Sequence, residues 1–261
     1  MHYTFITGST GVLGKEFATA SAKSGENLFL TGRTEQKLID LKEFLLKINP
    51  DIQIDYYPCD LTDETKRQEM FDYAKSKGFK FKKLINVAGA DIQKPFIDYT
   101  QEKIVFQVRA NFESAVSVTK FFLENMQENG EILTISSLTC ATPMPYFALY
   151  SASKSALTSF MRSLRYELKG KAKVTVVLPG SIPTRKDVIE DIKKQGLTGK
   201  LSSKPKEFIV KKSLVALKKN KAVCVPGFYN KIVYFFTKIT PLSLQMKIVA
   251  KKFSQKTKDA F

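Results

Sequence analysis

The sequence has few of the side chains on which metal and thiol chemistry depend. Its 261 residues include a single histidine, His2, no tryptophan, and three cysteines, Cys59, Cys140 and Cys224. The cysteines are odd in number and far apart, so neither a disulfide framework nor a zinc site is predicted. His2 falls in the first predicted strand, away from the other candidate residues, so histidine-based catalysis has no group to use. We therefore expect no metal site.

Long apolar runs and targeting signals are also lacking. No run reaches the roughly 18 to 20 apolar residues that span a bilayer. Residues 1–8, Met-His-Tyr-Thr-Phe-Ile-Thr-Gly, have neither the basic opening nor the small-residue cleavage site of a signal peptide. A composition of 43% apolar and 26% charged residues is typical of a soluble globular protein. We expect a cytoplasmic protein, with peripheral membrane contact as a further option.

Acidic residues are scarce where basic residues are most frequent. The net charge is +17, and residues 204–261 hold 14 lysines, no arginine and only Glu207 and Asp259, a net +12. Such a segment suits nucleic acid, an anionic membrane surface or acidic substrates, or is simply a solvated face. The lysines are spread along apolar helical patterns, without the arginine that base readout favours, so no nucleic-acid partner is expected.

Short apolar segments alternate with longer helical patterns from the N-terminus to about position 225. This alternation predicts one α/β domain, residues 1–227, with a doubly wound parallel β-sheet flanked by helices. The predicted strands lie near 2–7, 27–31, 52–58, 82–86, 131–136, 172–178 and 221–225. A polar stretch at 193–200 predicts a mobile substrate loop at about 185–203.

The segment 228–261 has a different character. Phe228, Ile232, Phe235, Phe236 and Ile239 fall at helical spacing, and a second set follows Thr240-Pro241 at Leu242, Met246, Val249 and Phe253. The pattern predicts two amphipathic helices with lysines on their polar faces. These helices would pack on the domain or on a second subunit, or would contact a membrane surface.

The first strand leads into the glycine-rich turn Thr7-Gly8-Ser9-Thr10-Gly11-Val12-Leu13-Gly14, followed by a helical pattern. Glycines at such a strand-to-helix turn allow a tight bend and a close approach of backbone N–H groups to a pyrophosphate. After the second strand stands Arg33, with no carboxylate before Glu35. A basic group at this point suits the 2′-phosphate of NADP, whereas NAD sites usually place an acid there, so NADP(H) is favoured and NAD(H) is the alternative.

Tyr150-Ser151-Ala152-Ser153-Lys154 lies in a segment with helical periodicity. A spacing of four places the phenol and the ammonium on one helical face. There the positive charge would lower the pKa of Tyr150 and suit it to acid-base chemistry. Ser136-Ser137 closes the fifth strand, and in an open α/β sheet ligands bind at the carboxyl ends of strands.

These motifs resemble the single-domain branch of the short-chain dehydrogenase/reductase family, with a Rossmann-like fold. The resemblance rests on the glycine turn, Asn86-Val87-Ala88-Gly89 after the fourth strand, the Tyr150/Lys154 pair and Pro179-Gly180-Ser181-Ile182-Pro183-Thr184. It covers nearly all of residues 1–225. Two positions depart from the family pattern: Val12 stands where the branch usually has its second glycine, and Val87 where it has a second asparagine.

The resemblance implies a catalytic set of Asn111, Ser137, Tyr150 and Lys154. Tyr150 would exchange a proton with the substrate oxygen, Ser137 would orient that oxygen, and Lys154 would lower the pKa of Tyr150 and hold the nicotinamide ribose. Asn111 would fix a water in a proton relay. The residues expected to bind the dinucleotide, besides Tyr150 and Lys154, are Gly8, Ser9, Thr10, Gly11, Leu13, Gly14, Arg33, Asp60, Leu61, Asn86, Ala88, Gly89, Pro179, Gly180, Ile182 and Thr184.

The implied activity is NADP(H)-dependent interconversion of a ketone and a secondary alcohol. Apolar residues before Tyr150, the segment 185–203 and the amphipathic tail favour a hydrophobic substrate, such as a hydroxysteroid or a 3-oxoacyl chain. Broad carbonyl reduction and non-catalytic dinucleotide sensing are the alternatives. The resemblance also implies a homodimer or homotetramer, built on helices near 100–125 and 147–169.

Overall fold

The computed structural model describes residues 2–183 and 186–253. Its centre is a seven-stranded parallel sheet in the order β3-β2-β1-β4-β5-β6-β7. The strands are β1 (Tyr3–Thr7), β2 (Asn27–Gly32), β3 (Ile54–Pro58), β4 (Phe81–Asn86), β5 (Met126–Ile135), β6 (Ala172–Val177) and β7 (Val223–Cys224). The predicted strands and the doubly wound α/β class are confirmed. β5 begins about five residues earlier than predicted, because Met126 pairs with Phe81 before the register shifts.

Helices connect the strands and cover both faces of the sheet. They are α1 (Val12–Lys23), α2 (Glu35–Ile48), α3 (Glu64–Ser76), α4 (Gln101–Val108), α5 (Ser114–Glu124), α6 (Ala148–Glu167), α7 (Lys186–Lys194), α8 (Gly196–Ser202), α9 (Lys206–Lys218), α10 (Phe228–Ile239) and α11 (Leu242–Phe253). A π-helical segment, Arg109–Glu113, joins α4 to α5. Short 3₁₀ turns lie at Phe96–Asp98 and Leu138–Ala141.

Two apolar clusters, one on each face, hold the sheet between its helices. One is built around Phe5, Phe81 and Phe122 and packs against α3, α5 and α6. The other contains Phe17 and Leu38 and packs against α1, α2 and α9. Alternate residues of each strand serve opposite clusters, as the pleat of a strand requires. With both faces covered, the strand ends are left as the place for a ligand.

The site edge follows from the strand order. The chain runs outward from β1 through β2 to β3, and then returns to add β4 on the other side of β1. The connections after β1 and β4 therefore diverge to opposite faces and leave a crevice at their carboxyl ends, where such sheets bind ligands. Thr7 of β1 pairs with Asn86 of β4 at this edge.

The segment predicted as a loop at 185–203 is largely helical in its described part, which contains α7 and α8. The polar stretch 193–200 hides the helical pattern in the sequence. The two helices are instead marked by their packing: Ile192 is buried, and a Cβ on Gly199 would lie 2.3 Å from the Ile192 carbonyl oxygen. Gly196, with φ +58°, makes the turn between the two helices. The two amphipathic helices predicted for the tail are present as α10 and α11.

Candidate active site

The glycine-rich turn bends around Gly8, whose φ is +60°. A Cβ on Gly8 would lie 2.9 Å from the Cα of Ala88, so the turn after β1 touches the chain leaving β4. Gly14 is closer still to the turn, since a Cβ there would lie 2.1 Å from the Gly8 carbonyl oxygen. Helix α1 starts after Gly11 without a side-chain cap, so its first N–H groups face the crevice for an anion to accept. This geometry fits the pyrophosphate of a dinucleotide.

Two residues predicted to bind the dinucleotide support the turn from behind instead of lining the crevice. Ser9 is fully buried, and both its backbone N and its Oγ donate to the Thr31 carbonyl oxygen at 3.0 Å. Asn86 is buried and its Nδ2 donates to Thr119 Oγ1 at 3.1 Å. Both side chains point into the fold: Ser9, in the turn after β1, bonds back to β2, and Asn86, at the end of β4, bonds to α5.

The other predicted residues in the described part of the chain line one cavity of about 1150 Å³. From the dinucleotide set these are Gly8, Thr10, Gly11, Leu13, Gly14, Arg33, Asp60, Leu61, Ala88, Gly89, Pro179, Gly180 and Ile182, and from the catalytic set Asn111, Ser137, Tyr150 and Lys154. Thr184 lies outside the described residues. The cavity crosses the strand ends from β3 to β6, and its volume is large enough for a cofactor and a second molecule.

The segment Pro179–Ile182 is held against the helices beyond it. A Cβ on Gly180 would lie 2.7 Å from the Ser202 carbonyl oxygen and 2.8 Å from Asn230 Nδ2. Glycine is therefore required for α8 and α10 to approach this wall of the cavity. The contact makes α10 part of the site, although α10 begins 44 residues beyond Thr184, the last predicted site residue.

Asn111 lies in the π-helical segment and is almost fully buried. Its Oδ1 accepts from the Ala90 backbone N at 3.0 Å, and its Nδ2 donates to the Ala90 carbonyl oxygen at 2.7 Å. The side chain thus fixes the position of the backbone after Gly89. A Cβ on Gly89 itself would lie 2.8 Å from Asn111 Oδ1 and 3.2 Å from Lys154 Nζ. A π-helical segment also interrupts the regular pattern of backbone hydrogen bonds, and such interruptions are frequent at functional sites.

Tyr150 and Lys154 lie in the first two turns of α6, and Ser137 is the second residue after the end of β5. The Tyr150 ring stacks on Phe147 with centroids 4.4 Å apart, which orients the phenol toward Ser137. Lys154 is 4% exposed; its Nζ donates to the Ile135 carbonyl oxygen at 3.2 Å and lies 5.8 Å from the centre of the Tyr150 ring. One face of α6 thus presents both groups, as the spacing of four predicts.

Burial dominates the electrostatics of this pair. It raises the pKa of Tyr150, the negative charge of Asp91 raises that pKa further, and a hydrogen bond with Ser137 lowers it. Burial lowers the pKa of Lys154 to about 8, and Asp91 opposes that change. The expected lowering of the Tyr150 pKa by Lys154 is therefore not what the geometry shows. The ammonium is itself desolvated and is directed toward Ile135, so burial of the phenol outweighs it.

Several residues of the cavity were not predicted. Asp91 and Gln93 follow Gly89 and line the same space, and Gln93 is 4% exposed with its Nε2 lacking an acceptor among the described residues. Asp91 acts on both Tyr150 and Lys154 by its charge. Its position two residues after the Asn-Val-Ala-Gly segment is the signal that could have found it. Residues of α10 and α11 also line the cavity, and only tertiary structure brings them there.

A second cavity of about 650 Å³ adjoins the end of the site beside β2 and β3. Arg33 and Asp60 border both cavities, and Arg109 borders the second. One oxygen of Asp60 is occupied locally, because it accepts from the Thr62 backbone N at 2.9 Å and from the Thr62 hydroxyl at 2.8 Å. The exposed Arg33 side chain offers a positive charge at the carboxyl end of β2.

The arrangement can hold a dinucleotide and act on a second molecule beside it. The glycine turn offers backbone donors for phosphates, and Ser137, Tyr150 and Lys154 converge in the same cavity. A phenol and a hydroxyl in a largely apolar cavity can bind a carbonyl oxygen and supply its proton.

The family model described as short chain dehydrogenase matches residues 2–193. An 11-beta-hydroxysteroid dehydrogenase-like 2 of Arabidopsis thaliana is 31% identical over 182 residues, 69% of this chain and 58% of the relative. A very-long-chain 3-oxoacyl-CoA reductase of Kluyveromyces lactis is 30% identical over 177 residues, 64% of this chain and 50% of the relative. The chain thus spans only between half and three fifths of the length of these two relatives.

Among solved structures, a 7beta-hydroxysteroid dehydrogenase superposes with a TM-score of 0.85 at 19% identity, covering 95% of this chain and 96% of the other. At that identity the likeness establishes the fold alone. It extends past residue 193, so the shared fold includes elements beyond the matched family segment.

Proposed function

Because the chain belongs to the short-chain dehydrogenase family and is an oxidoreductase of that type, we propose that it interconverts a ketone and a secondary alcohol with NADP(H). The observation that carries the proposal is the convergence of Asn111, Ser137, Tyr150 and Lys154 in the cavity that the glycine-rich turn also lines. Each side chain comes from a different part of the chain or a different helical turn, and a purely structural role would not require all four at one cavity.

The nicotinamide, when bound, supplies or accepts the hydride. Tyr150 supplies the proton, since its raised pKa keeps the phenol protonated at neutral pH and ready to donate to a substrate oxygen. Ser137 donates a hydrogen bond to the same oxygen and fixes its place beside the phenol. This protonation state suits reduction of a carbonyl at neutral pH.

Lys154 and Asn111 serve the proton supply. The ammonium of Lys154 lies beside Gly89 and 5.8 Å from the centre of the Tyr150 ring. From there it would hold the ribose hydroxyls of the dinucleotide and would pass a proton toward the phenol. Both polar atoms of the Asn111 side chain bind Ala90 and so are not available to a water. We therefore assign the relay water to backbone groups of the π-helical segment, which the Asn111 side chain holds in position.

The preference for NADP(H) over NAD(H) rests on Arg33. Its guanidinium is exposed at the end of β2 and borders both cavities. A phosphate at the adenosine 2′ position would meet this cation there, and one oxygen of Asp60 is engaged by Thr62. Arg109 also borders the second cavity, but it pairs with Glu113 at 3.4 Å, and Glu102 lines the same cavity, so Arg33 carries the preference. A basic residue after the second strand favours the phosphorylated cofactor.

We propose a hydrophobic substrate, either a hydroxysteroid or a 3-oxoacyl or similar lipid chain. Beyond Tyr150 the cavity continues along Met144, Phe147 and Ile192 and then between apolar residues of α10 and α11. The relatives named for hydroxysteroids and for very-long-chain 3-oxoacyl-CoA are consistent with this class. A homodimer or homotetramer built on α4, α5 and α6 is proposed as well, with Val105 and Tyr166 exposed on that surface.

The test is a steady-state screen at 340 nm with NADPH and with NADH, against steroid ketones, 3-oxoacyl thioesters and small aldehydes. Tyr150→Phe should abolish turnover and retain NADPH binding, while the neighbouring Tyr146→Phe, which is outside the cavity, should leave turnover unchanged. Arg33→Glu should weaken NADPH binding and spare NADH, and Lys37→Glu on the exposed face of α2 is its charge-matched control. Tight NADPH binding without turnover on any carbonyl would instead favour a dinucleotide sensor.

A further inference from the structure

The outer surface of α10 and α11 is apolar and exposed. Phe228 is 79% exposed, Ile239 60% and Phe235 59%, and among the described side chains of α11 none is buried. We name this surface the tail face. It consists of Phe228, Phe235, Phe236, Ile239, Leu242, Leu244, Met246 and Ile248. Contiguous apolar exposure on this scale marks an interaction surface.

The tail face is fixed to the domain by hydrogen bonds. Buried Asn230 donates from Nδ2 to the Ser202 and Pro226 carbonyl oxygens, both at 2.9 Å, which anchors α10. Gln245 donates from Nε2 to the Thr237 and Thr240 carbonyl oxygens at 2.9 and 2.7 Å, which ties α11 back to α10. The two helices therefore present their apolar residues as one preformed hairpin.

Charge selects the partner of this surface. Residues 228–253 contain five lysines and no acidic residue. Lys231, Lys238, Lys247 and Lys251 are exposed on the same two helices. A second copy of the chain would bring two such cationic hairpins together, which is unfavourable, whereas an anionic bilayer satisfies both the apolar and the basic residues. We propose that the tail face docks on the surface of an anionic phospholipid membrane.

The docked orientation brings the wall of the cavity to the bilayer. Phe236 and Ile248 of the tail face are each more than one third exposed, and each also lines the large cavity. The tail face therefore borders the cavity. Resting on the proposed function, docking would let a lipophilic ketone pass from the bilayer to Tyr150 without crossing water. No helix in the described ranges is long and apolar enough to cross a membrane, so the contact is at the surface.

Flotation of the full chain with vesicles tests the proposal without any turnover. The probes are vesicles of phosphatidylcholine alone and of phosphatidylcholine with about one third phosphatidylserine. We expect about tenfold more protein with the anionic vesicles. Phe235→Glu combined with Ile239→Glu should lower that binding about tenfold, as should the charge reversal Lys238→Glu with Lys247→Glu. Val215→Glu, at a 44% exposed apolar residue of α9, should bind as the parent does.

The proposal is overturned if the parent remains unbound to both vesicle types, or if both double variants float as well as the parent. It is also overturned if Phe235→Glu with Ile239→Glu halves the native mass in light scattering, because the tail face would then be an interface between copies. Vesicle binding by a protein that reduces no ketone would uphold the docking and reject the proposed function, so the two conclusions fail separately.

Discussion

The pH dependence of reduction should report the ionisation of Lys154. Burial lowers the pKa of Lys154 to about 8, whereas the raised pKa of Tyr150 keeps the phenol protonated well above that pH. The fraction of Lys154 that is cationic then falls from about nine tenths at pH 7 to about one tenth at pH 9. We expect kcat/KM for NADPH to fall about tenfold over this range, because under the proposed function the cation would both hold the ribose and supply the relay.

Asp91 makes the prediction specific. Its negative charge stabilises the Lys154 cation and so raises the pKa of Lys154 against the effect of burial. In Asp91→Asn that support is lost and the pKa of Lys154 falls. The alkaline limb of the pH profile, where kcat/KM declines, should therefore move to lower pH. Asp98→Asn, an exposed acid in the Phe96–Asp98 turn, is the matched control and should leave the limb in place.

The assay is the initial rate of NADPH oxidation from pH 6 to pH 10 at saturating ketone and limiting NADPH, since kcat/KM reports groups of the free enzyme. A profile that stays level to pH 10, or a limb near pH 8 that Asp91→Asn does not move, would refute this assignment. Circular dichroism at each pH separates loss of activity from loss of structure.

Three further predictions concern binding and stability. Gly8→Ala should weaken NADPH binding at least about tenfold in a fluorescence titration, because the φ of +60° is strained for alanine and the Cβ has no room. Gly25→Ala, with φ +74° but open space around the Cβ, is the control. Equal losses of affinity in both variants would contradict the reasoning. Phe122→Ala, at a fully buried core residue, should lower the free energy of unfolding by about 3 to 5 kcal/mol in urea, and a loss below 1 kcal/mol would argue against the core described. Thr119→Val removes the acceptor of the Asn86 amide and should cost about 1 to 3 kcal/mol in the same assay with little change in NADPH affinity; a selective loss of affinity would place Asn86 in the binding site after all.

The sequence carried the features that depend on spacing along the chain. Alternating apolar segments and helical patterns predicted the seven strands, because each strand and helix imposes its own period on the residues it buries. The glycine turn and the Tyr150/Lys154 pair were predictable for the same reason, since a turn needs glycine at given steps and one helical face gathers residues four apart. The helices α10 and α11 followed from their apolar spacing.

Tertiary structure decided everything that depends on how separate segments meet. The crossing from β3 to β4 brings Ala88 against Gly8, and hydrogen bonds to Thr31 and Thr119 hold the side chains of Ser9 and Asn86 away from the cavity. Burial of Tyr150 beside Asp91 raises a pKa that local spacing with Lys154 predicted to fall, because desolvation depends on the whole surrounding fold. The amphipathic pattern also could not predict that the tail face is exposed. Spacing shows that a helix has an apolar side, and only the packed fold shows whether that side is covered.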